Sequence, residues 1–176
     1  MRFAETEIAG VVLVEIEPVS DARGTFARLH CPDDFAAAGH PFEPAQTSLS
    51  RNPQIGTLRG LHHRSAPHAE TKLVRCVRGR VFDVAVDLRA GSPTHRRWTA
   101  AELSAENARA LLIPPGVAHG FLTLEPNADV LYQIAPRFEL GHEDGVRWND
   151  SAFAIAWPFP PAILSERDAA YPDYLG

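Results

Sequence analysis

Residues 71–89, TKLVRCVRGRVFDVAVDLR, decide the fold. Gly79 divides the stretch into two runs joined by a tight turn, the pattern of a β-hairpin. In the second run Phe82, Val84, Val86 and Leu88 share one face, and Asp83, Ala85 and Asp87 share the other. Period-two alternation marks a strand because successive side chains point to opposite faces. The apolar face is expected against the core. Asp83 then points away from it, as the partner of a site residue or as an exposed carboxylate.

The same pattern extends in both directions. GVVLVEIEPV (10–19) reads as a strand ended by Pro18. RWTAAEL (97–103), ARALLIPP (108–115), AHGFLTL (118–124) and ADVLYQIA (128–135) are further strands, with Pro114, Pro115 and Gly116 forming a turn. CPDDFAAAGH (31–40) predicts a short helix with Asp33 near its start and Gly39 just past its end. In PPAILSERDAAYPDY (160–174), Ser165 with Asp168 resembles a capping arrangement that opens a second short helix. Fifteen prolines and twelve glycines punctuate these short apolar runs. The expectation is an all-β chain folded as one domain over residues 1–176, either a β-sandwich or a jelly-roll β-barrel with a few short peripheral helices.

The 176 residues suffice to bury a core, and a formal charge of -5 leaves no basic footprint for nucleic acid. Cys31 and Cys76 form neither a disulfide framework nor a zinc pattern. No apolar stretch approaches the length of a membrane span, and the N-terminus has no signal-like apolar region. A cytoplasmic protein that binds neither nucleic acid nor membrane is expected.

Candidate chemistry centres on GTLRGLHHR (56–64). Of the eight histidines, His30, His40, His68, His95 and His142 fall in predicted loops and are expected to be solvated. His62, His63 and His119 lie in or beside strands. A metal site needs three or more ligands converging at about 2.0–2.2 Å. Strand histidines sharing a face should be spaced i, i+2, whereas His62 and His63 are adjacent, so only one of them is expected to face a given pocket. One of the pair, His119 and a loop carboxylate, Glu70, would be the available set. Proton transfer asks for less: one histidine, an orienting carboxylate, and an acid across the substrate. Each group also has an ordinary reading: His62 as a core histidine, Tyr132 as a core aromatic, Lys72 as a solvated strand-end cation, Asp168 as a helix cap.

Taken together, RGLHHR (59–64), residues 72–98, LSAEN (103–107), LLIPPGVAHGFLTL (111–124), VLYQ (130–133), VRWND (146–150) and LSERDAAYP (164–172) closely resemble the dTDP-4-dehydrorhamnose 3,5-epimerase family. The blocks keep the family's order from about residue 10 to residue 173. The resemblance implies a cupin-type jelly roll, a homodimer, and an isomerase that uses no metal or organic cofactor on a nucleotide-linked 4-keto-6-deoxy sugar. It implies His62 as general base, Asp168 as its orienting carboxylate, Lys72 as stabiliser of the enolate oxygen, and Tyr132 as the acid on the opposite face. His63 stands where the family usually has an aromatic. Arg59 resembles a ligand of the diphosphate, His119 a substrate-binding histidine, and Glu143 occupies a family acidic position. Gln46 and Ser48 lie in the region that lines the nucleotide. Arg23 and Phe26 belong to an N-terminal segment that in the family reaches the neighbouring subunit's site. Because a regular strand would place Arg59 and His62 on opposite faces, a kink or bulge is expected at Gly60.

Three positions depart from the family's pattern. RGTFAR (23–28) carries Arg28 where a glutamate is common; an arginine only donates hydrogen bonds, so a base other than thymine, or a rotated base, is one expectation. Phe138 stands where a tyrosine is usual, which allows epimerisation at C3 alone. Arg167 replaces a lysine and keeps its charge in a different geometry. The readings left beside an epimerase are a cupin ketoisomerase of sugar nucleotides, a non-catalytic cupin that binds them, and a metal-dependent cupin oxygenase.

Overall fold

A computed structural model of the chain describes residues 1–137, 139 and 141–176. In chain order the elements are β1 (Arg2–Glu5), β2 (Val12–Glu15), β3 (Val19–Asp21), β4 (Gly24–Phe26), α1 (Pro32–Ala37), β5 (Gln46–Asn52), β6 (Leu58–His63), β7 (Thr71–Arg78), β8 (Arg80–Asp87), β9 (Trp98–Ser104), β10 (Ala110–Ile113), β11 (Val117–Thr123), β12 (Ala128–Ala135), β13 (Asp144–Gly145) and α2 (Glu166–Ala169).

The strands form a six-stranded sheet, β1-β2-β10-β7-β12-β5, a five-stranded sheet, β13-β6-β11-β8-β9, and the separate hairpin β3-β4. Every ladder pairing is antiparallel. From β5 to β8 each successive strand crosses to the other sheet, and β10 to β13 do the same. This crossing produces the jelly-roll expected for a cupin-type fold. Between the sheets lies a core of Val74, Cys76, Leu111, Ile113 and Val130 from one side and Val81, Ala85, Leu103, Val117 and Phe121 from the other. The hairpin at Gly79 and both short helices form where expected, with the Gly39 backbone left-handed just past α1.

The faces of β8 are the reverse of the sequence expectation. Val84 and Val86 do not face the partner sheet; they pack outward against Val146 and Phe153 of the C-terminal segment. Asp83 and Ala85 point between the sheets, and both are fully buried. Alternation separates two faces without saying which one meets the opposite sheet, and here the C-terminal segment covers the outer face as well. The solvated reading of the loop histidines also needs correction. His30, His40, His68 and His95 are half-buried, and His30 packs its ring on Phe35 and Phe42 at centroid distances of 4.8 and 5.5 Å.

The bulge expected at Gly60 is present. His62 pairs with His119 and Arg59 with Phe121, so three steps along β6 match two along β11. The extra residue brings Arg59 and His62 to the same cavity. Gly60 has φ +134°, and a Cβ placed there would lie 2.6 Å from Gly120 Cα and 3.0 Å from the His119 carbonyl oxygen. Both backbones are fixed by ladder bonds, so the contact has no easy relief. Gly60→Ala is therefore expected to destabilise the protein by at least about 1–3 kcal/mol through backbone strain alone. Chemical denaturation measures this, and an unchanged midpoint would contradict the close approach.

Candidate active site

A cavity of about 310 Å³ opens between the sheets. Lys72 of β7, Tyr132 and Ile134 of β12, and Ser48 and Ser50 of β5 line one wall; Arg59, His62 and His63 of β6 and His119 of β11 line the other. Glu143, Arg64, Glu70 and Arg167 complete the lining from the connecting segments and α2.

His62 Nε2 lies 2.8 Å from Asp168 Oδ1. A carboxylate there calls for a proton on Nε2 and leaves Nδ1 as the basic nitrogen. Arg167 Nη2 is also near Nε2, at 3.3 Å, but a guanidinium only donates, and the shorter carboxylate contact sets the tautomer. Helix α2 is a single turn that delivers Asp168 to β6. Ser165 caps it by accepting from the Asp168 backbone N–H at 3.1 Å, and the Gly60 N–H donates to Asp168 Oδ2, also at 3.1 Å. Burial pushes the Asp168 carboxyl up, but the hydrogen bond and charge of His62 with the Gly60 N–H outweigh it and lower the group to about 2.

This depression has a pH signature. Below the ordinary aspartate value of 3.8 the unfolded chain binds a proton at this position that the folded protein refuses. The contribution to stability, about 2 kcal/mol, is complete above about pH 4 and is lost as pH falls toward 2. Asp168→Asn should flatten the fall in melting temperature across that window. Identical slopes for the variant and the parent protein would contradict the assignment.

The second histidine has its own carboxylate. His119 Nε2 sits 3.0 and 2.9 Å from the two oxygens of Asp83, and the side chains are 3% and 0% exposed. This settles Asp83 as a partner of a site residue. Tyr132 meets the His119 ring edge-on at 5.8 Å between centroids. Burial raises the Tyr132 phenol far above its ordinary value, assisted by Asp83 and opposed by Arg59, so it keeps its proton at neutral pH. Lys72 Nζ reaches Glu70 Oε1 at 3.1 Å and the His62 carbonyl oxygen at 3.4 Å. Arg59 donates from Nε to Asn52 Oδ1 at 2.8 Å, and Asn52 is anchored to the Ala128 carbonyl oxygen at 3.0 Å.

Of the residues named from sequence, His62, Lys72, Tyr132, Ser48, Arg59, His119, Glu143 and Arg167 line the cavity, with Asp168 immediately behind His62. Gln46 stands beside this group and donates to Ser48 Oγ at 3.0 Å. Arg23, Phe26 and Arg28 are not brought to it. Arg23 pairs with Asp21 of its own hairpin, Phe26 is 79% exposed, and Arg28 pairs with Asp34 at 3.2 Å. Phe138 lies outside the described residues. His63 also lines the cavity, contrary to the one-face expectation. Ser50, Asn52 and Arg64 were missed, and Glu70 was considered only as a loop carboxylate for a metal. Ser50 and Asn52 continue the alternation of Gln46 and Ser48 along β5, which was the available signal.

Among the described residues one group has metal-ligating atoms within reach of one another: His68, Glu139 and His142. The two imidazoles stack 3.6 Å apart with planes only 9° from parallel. Neither histidine lines the cavity.

A family model for dTDP-4-dehydrorhamnose 3,5-epimerase matches residues 5–175. The chain belongs to this family. A dTDP-4-dehydrorhamnose 3,5-epimerase from Sinorhizobium fredii is 41% identical over 173 residues, covering 98% of this chain and 89% of that protein. The crystal structure of the Bacillus anthracis 3,5-epimerase with TDP and pyrophosphate bound superposes with a TM-score of 0.94 at 38% identity, covering 98% and 99% of the two chains. A dTDP-6-deoxy-D-glucose-3,5-epimerase from Legionella pneumophila, solved with dTDP-4-keto-L-rhamnose, gives 0.90 at 35% identity over 97% and 90%. Among the described residues of this family member no helix is long and apolar enough to cross a membrane.

Proposed function

We propose that this protein is an isomerase of deoxysugar biosynthesis that epimerises C3 and C5 of a dTDP-linked 4-keto-6-deoxy sugar through enolates. The observation that carries this reading is the placement of His62 and Tyr132 on opposite sheets, facing one cavity. Inversion at carbon needs a base on one face and an acid on the other. Residues 1–176 act as a single domain in this reading.

The C–H bonds at C3 and C5 lie alpha to the C4 ketone and are acidified by it. His62 Nδ1 takes the proton, and the C–H electron pair moves into the ring to leave an enolate with its charge on the former ketone oxygen. Asp168 stabilises the resulting imidazolium. Lys72 donates to the enolate oxygen, an interaction worth about 2.7–4 kcal/mol when such a donor is removed elsewhere. Tyr132 then delivers its phenolic proton to the opposite face, and the phenolate and imidazolium exchange with water to reset the site. His119, fixed by Asp83, binds the sugar, while Arg59, Glu143 and Arg167 meet the remainder of the substrate. Two basic side chains of this lining, Arg59 and Arg167, suit a diphosphate.

The active form is read as a homodimer. The β3-β4 hairpin stands apart from both sheets with Val19 73% and Phe26 79% exposed. Reaching a neighbouring subunit, it would place Arg23, Phe26 and Arg28 against that subunit's nucleotide. The free thiols Cys31 and Cys76 fit a reducing cytoplasm.

The test is solvent exchange on dTDP-4-keto-6-deoxyglucose in D₂O, followed by NMR. Deuterium at C3 and C5 supports double epimerisation, deuterium at C3 alone makes the enzyme a 3-epimerase, and none at either carbon overturns the reading. Competition titrations with dTDP, CDP, UDP and GDP read the base. Preference for dTDP supports thymine, and preference for another diphosphate assigns the change to Arg28.

A further inference from the structure

Glu70 is the residue of this cavity whose presence most needs a reason. It directly precedes β7, two positions before Lys72, so in extended backbone the two side chains share a face. Its side chain is only 6% exposed, and it lies between two buried cations: Oε1 is 3.1 Å from Lys72 Nζ, and Oε2 faces Arg64 Nε at 3.7 Å. Oε2 is buried and accepts no hydrogen bond. A carboxylate so placed has been taken out of water, and a lone buried cation beside Arg64 would be costlier still.

We propose that Glu70 is a positioning residue of the epimerase site: its carboxylate aims the Lys72 ammonium at the substrate's ketone oxygen and keeps it charged while that oxygen becomes an enolate. The proposal rests on the reading of Lys72 as the oxyanion donor. Three geometric facts support it. Lys72 has three N–H donors; Glu70 takes one and the His62 carbonyl oxygen another, which leaves one directed donor for a ligand. The His62 contact ties the ammonium to the residue that abstracts the proton, so donor and base are held in one frame. Lys72 is also only 11% exposed, so water cannot replace a missing counter-charge.

The charged groups around Lys72 act in opposite directions. Burial lowers its pKa; Glu70 opposes this most strongly, through charge and hydrogen bond, Arg64 adds to the lowering, and Asp83 of β8 gives weaker support. Arg59, His62 and His63 from β6, His119 from β11, Tyr132 from β12, Glu143 from the segment before β13 and Arg167 from α2 complete the titratable and charged groups of the same lining. Removing the Glu70 charge leaves Asp83 as the carboxylate that supports the Lys72 ammonium against burial and Arg64.

Glu70→Gln keeps the shape and removes the charge, whereas Glu70→Asp keeps the charge and withdraws it by one methylene. In the exchange assay, Glu70→Gln is expected to lower kcat at pH 8 by ~10²-fold with KM nearly unchanged, since an oxyanion donor contributes mainly to the transition state. The basic limb of its pH–rate profile moves down by about one unit or more, as expected when a buried lysine loses its counter-charge. Glu70→Asp lowers kcat and leaves that limb in place. A direct readout is the pH titration of the Lys72 side-chain NMR signal in ligand-free protein, assigned with Lys72→Arg. Its midpoint falls in Glu70→Gln and not in Glu70→Asp. A parental midpoint and basic limb in Glu70→Gln overturn the proposal. If the parent protein exchanges neither carbon, the epimerase reading fails, while the Lys72 titration still decides whether Glu70 holds the charge.

Discussion

His62→Ala should abolish deuterium incorporation at C3 and C5 of dTDP-4-keto-6-deoxyglucose, lowering the exchange rate by ~10²–10⁴-fold, the usual contribution of a positioned general base. The geometry makes the prediction specific. His62 is the cavity histidine whose Nε2 is held by a carboxylate that is itself fixed by a helix cap and a backbone N–H. His119 is also held at Nε2 by a carboxylate, but its side chain is only 3% exposed against 28% for His62, so His62 is the one open to the substrate. His63, at the end of β6, has Asp144 only at 4.0 Å. Binding of dTDP should survive the substitution, since His62 is assigned to the sugar and not to the diphosphate. If exchange persists in His62→Ala and disappears in His63→Ala, the two adjacent histidines have been assigned the wrong way round.

Tyr132→Phe should separate exchange from inversion. In this variant His62 still removes the proton, and its imidazolium still exchanges with D₂O and returns deuterium to the same face. Inverted product is expected to fall by ~10²–10⁴-fold, while exchange at C3 with retained configuration continues. Chirality at C3 and deuterium content, read from the same NMR sample, separate the two. Burial holds the phenol above its ordinary value, so it stays protonated at neutral pH and gives up its proton only to a strong base such as the enolate carbon. The substitution removes one oxygen from a ring packed edge-on against His119, so the fold should be preserved. Undiminished formation of inverted product would transfer the acid's role to another group on that wall of the cavity.

Much of the fold was legible because it depends on local chemistry. The apolar alternation of 81–88 made β8 unmistakable, Gly79 placed the hairpin, and Ser165 with Asp168 announced the cap of α2. Strand β5 was harder to see. Its residues, QTSLSRN, are mostly polar, because it forms the sheet edge and one of its faces lines the cavity while the other is exposed. The short strands β1, β3, β4 and β13 carry too few residues to show a period.

By itself the sequence determined the element types, the jelly-roll class through the family resemblance, and the identity of the chemical groups: one histidine, one tyrosine, one lysine and one carboxylate in recognisable blocks. It also determined that Arg59 and His62 needed a bulge to cooperate, because a strand's period is two and their spacing is three. Only the tertiary structure decided which face of β8 turned inward, which made Asp83 the buried partner of His119, 36 residues away. Only it made Glu70 a bridge between Lys72 and Arg64, whereas the pairing of Asp168 with His62 across 106 residues was already implied by the resemblance. The physical reason is common to Asp83 and Glu70. Periodicity reports the faces of one strand, whereas the partner of a buried charge is set by which strands the sandwich brings opposite each other, and by which segment covers their outer side.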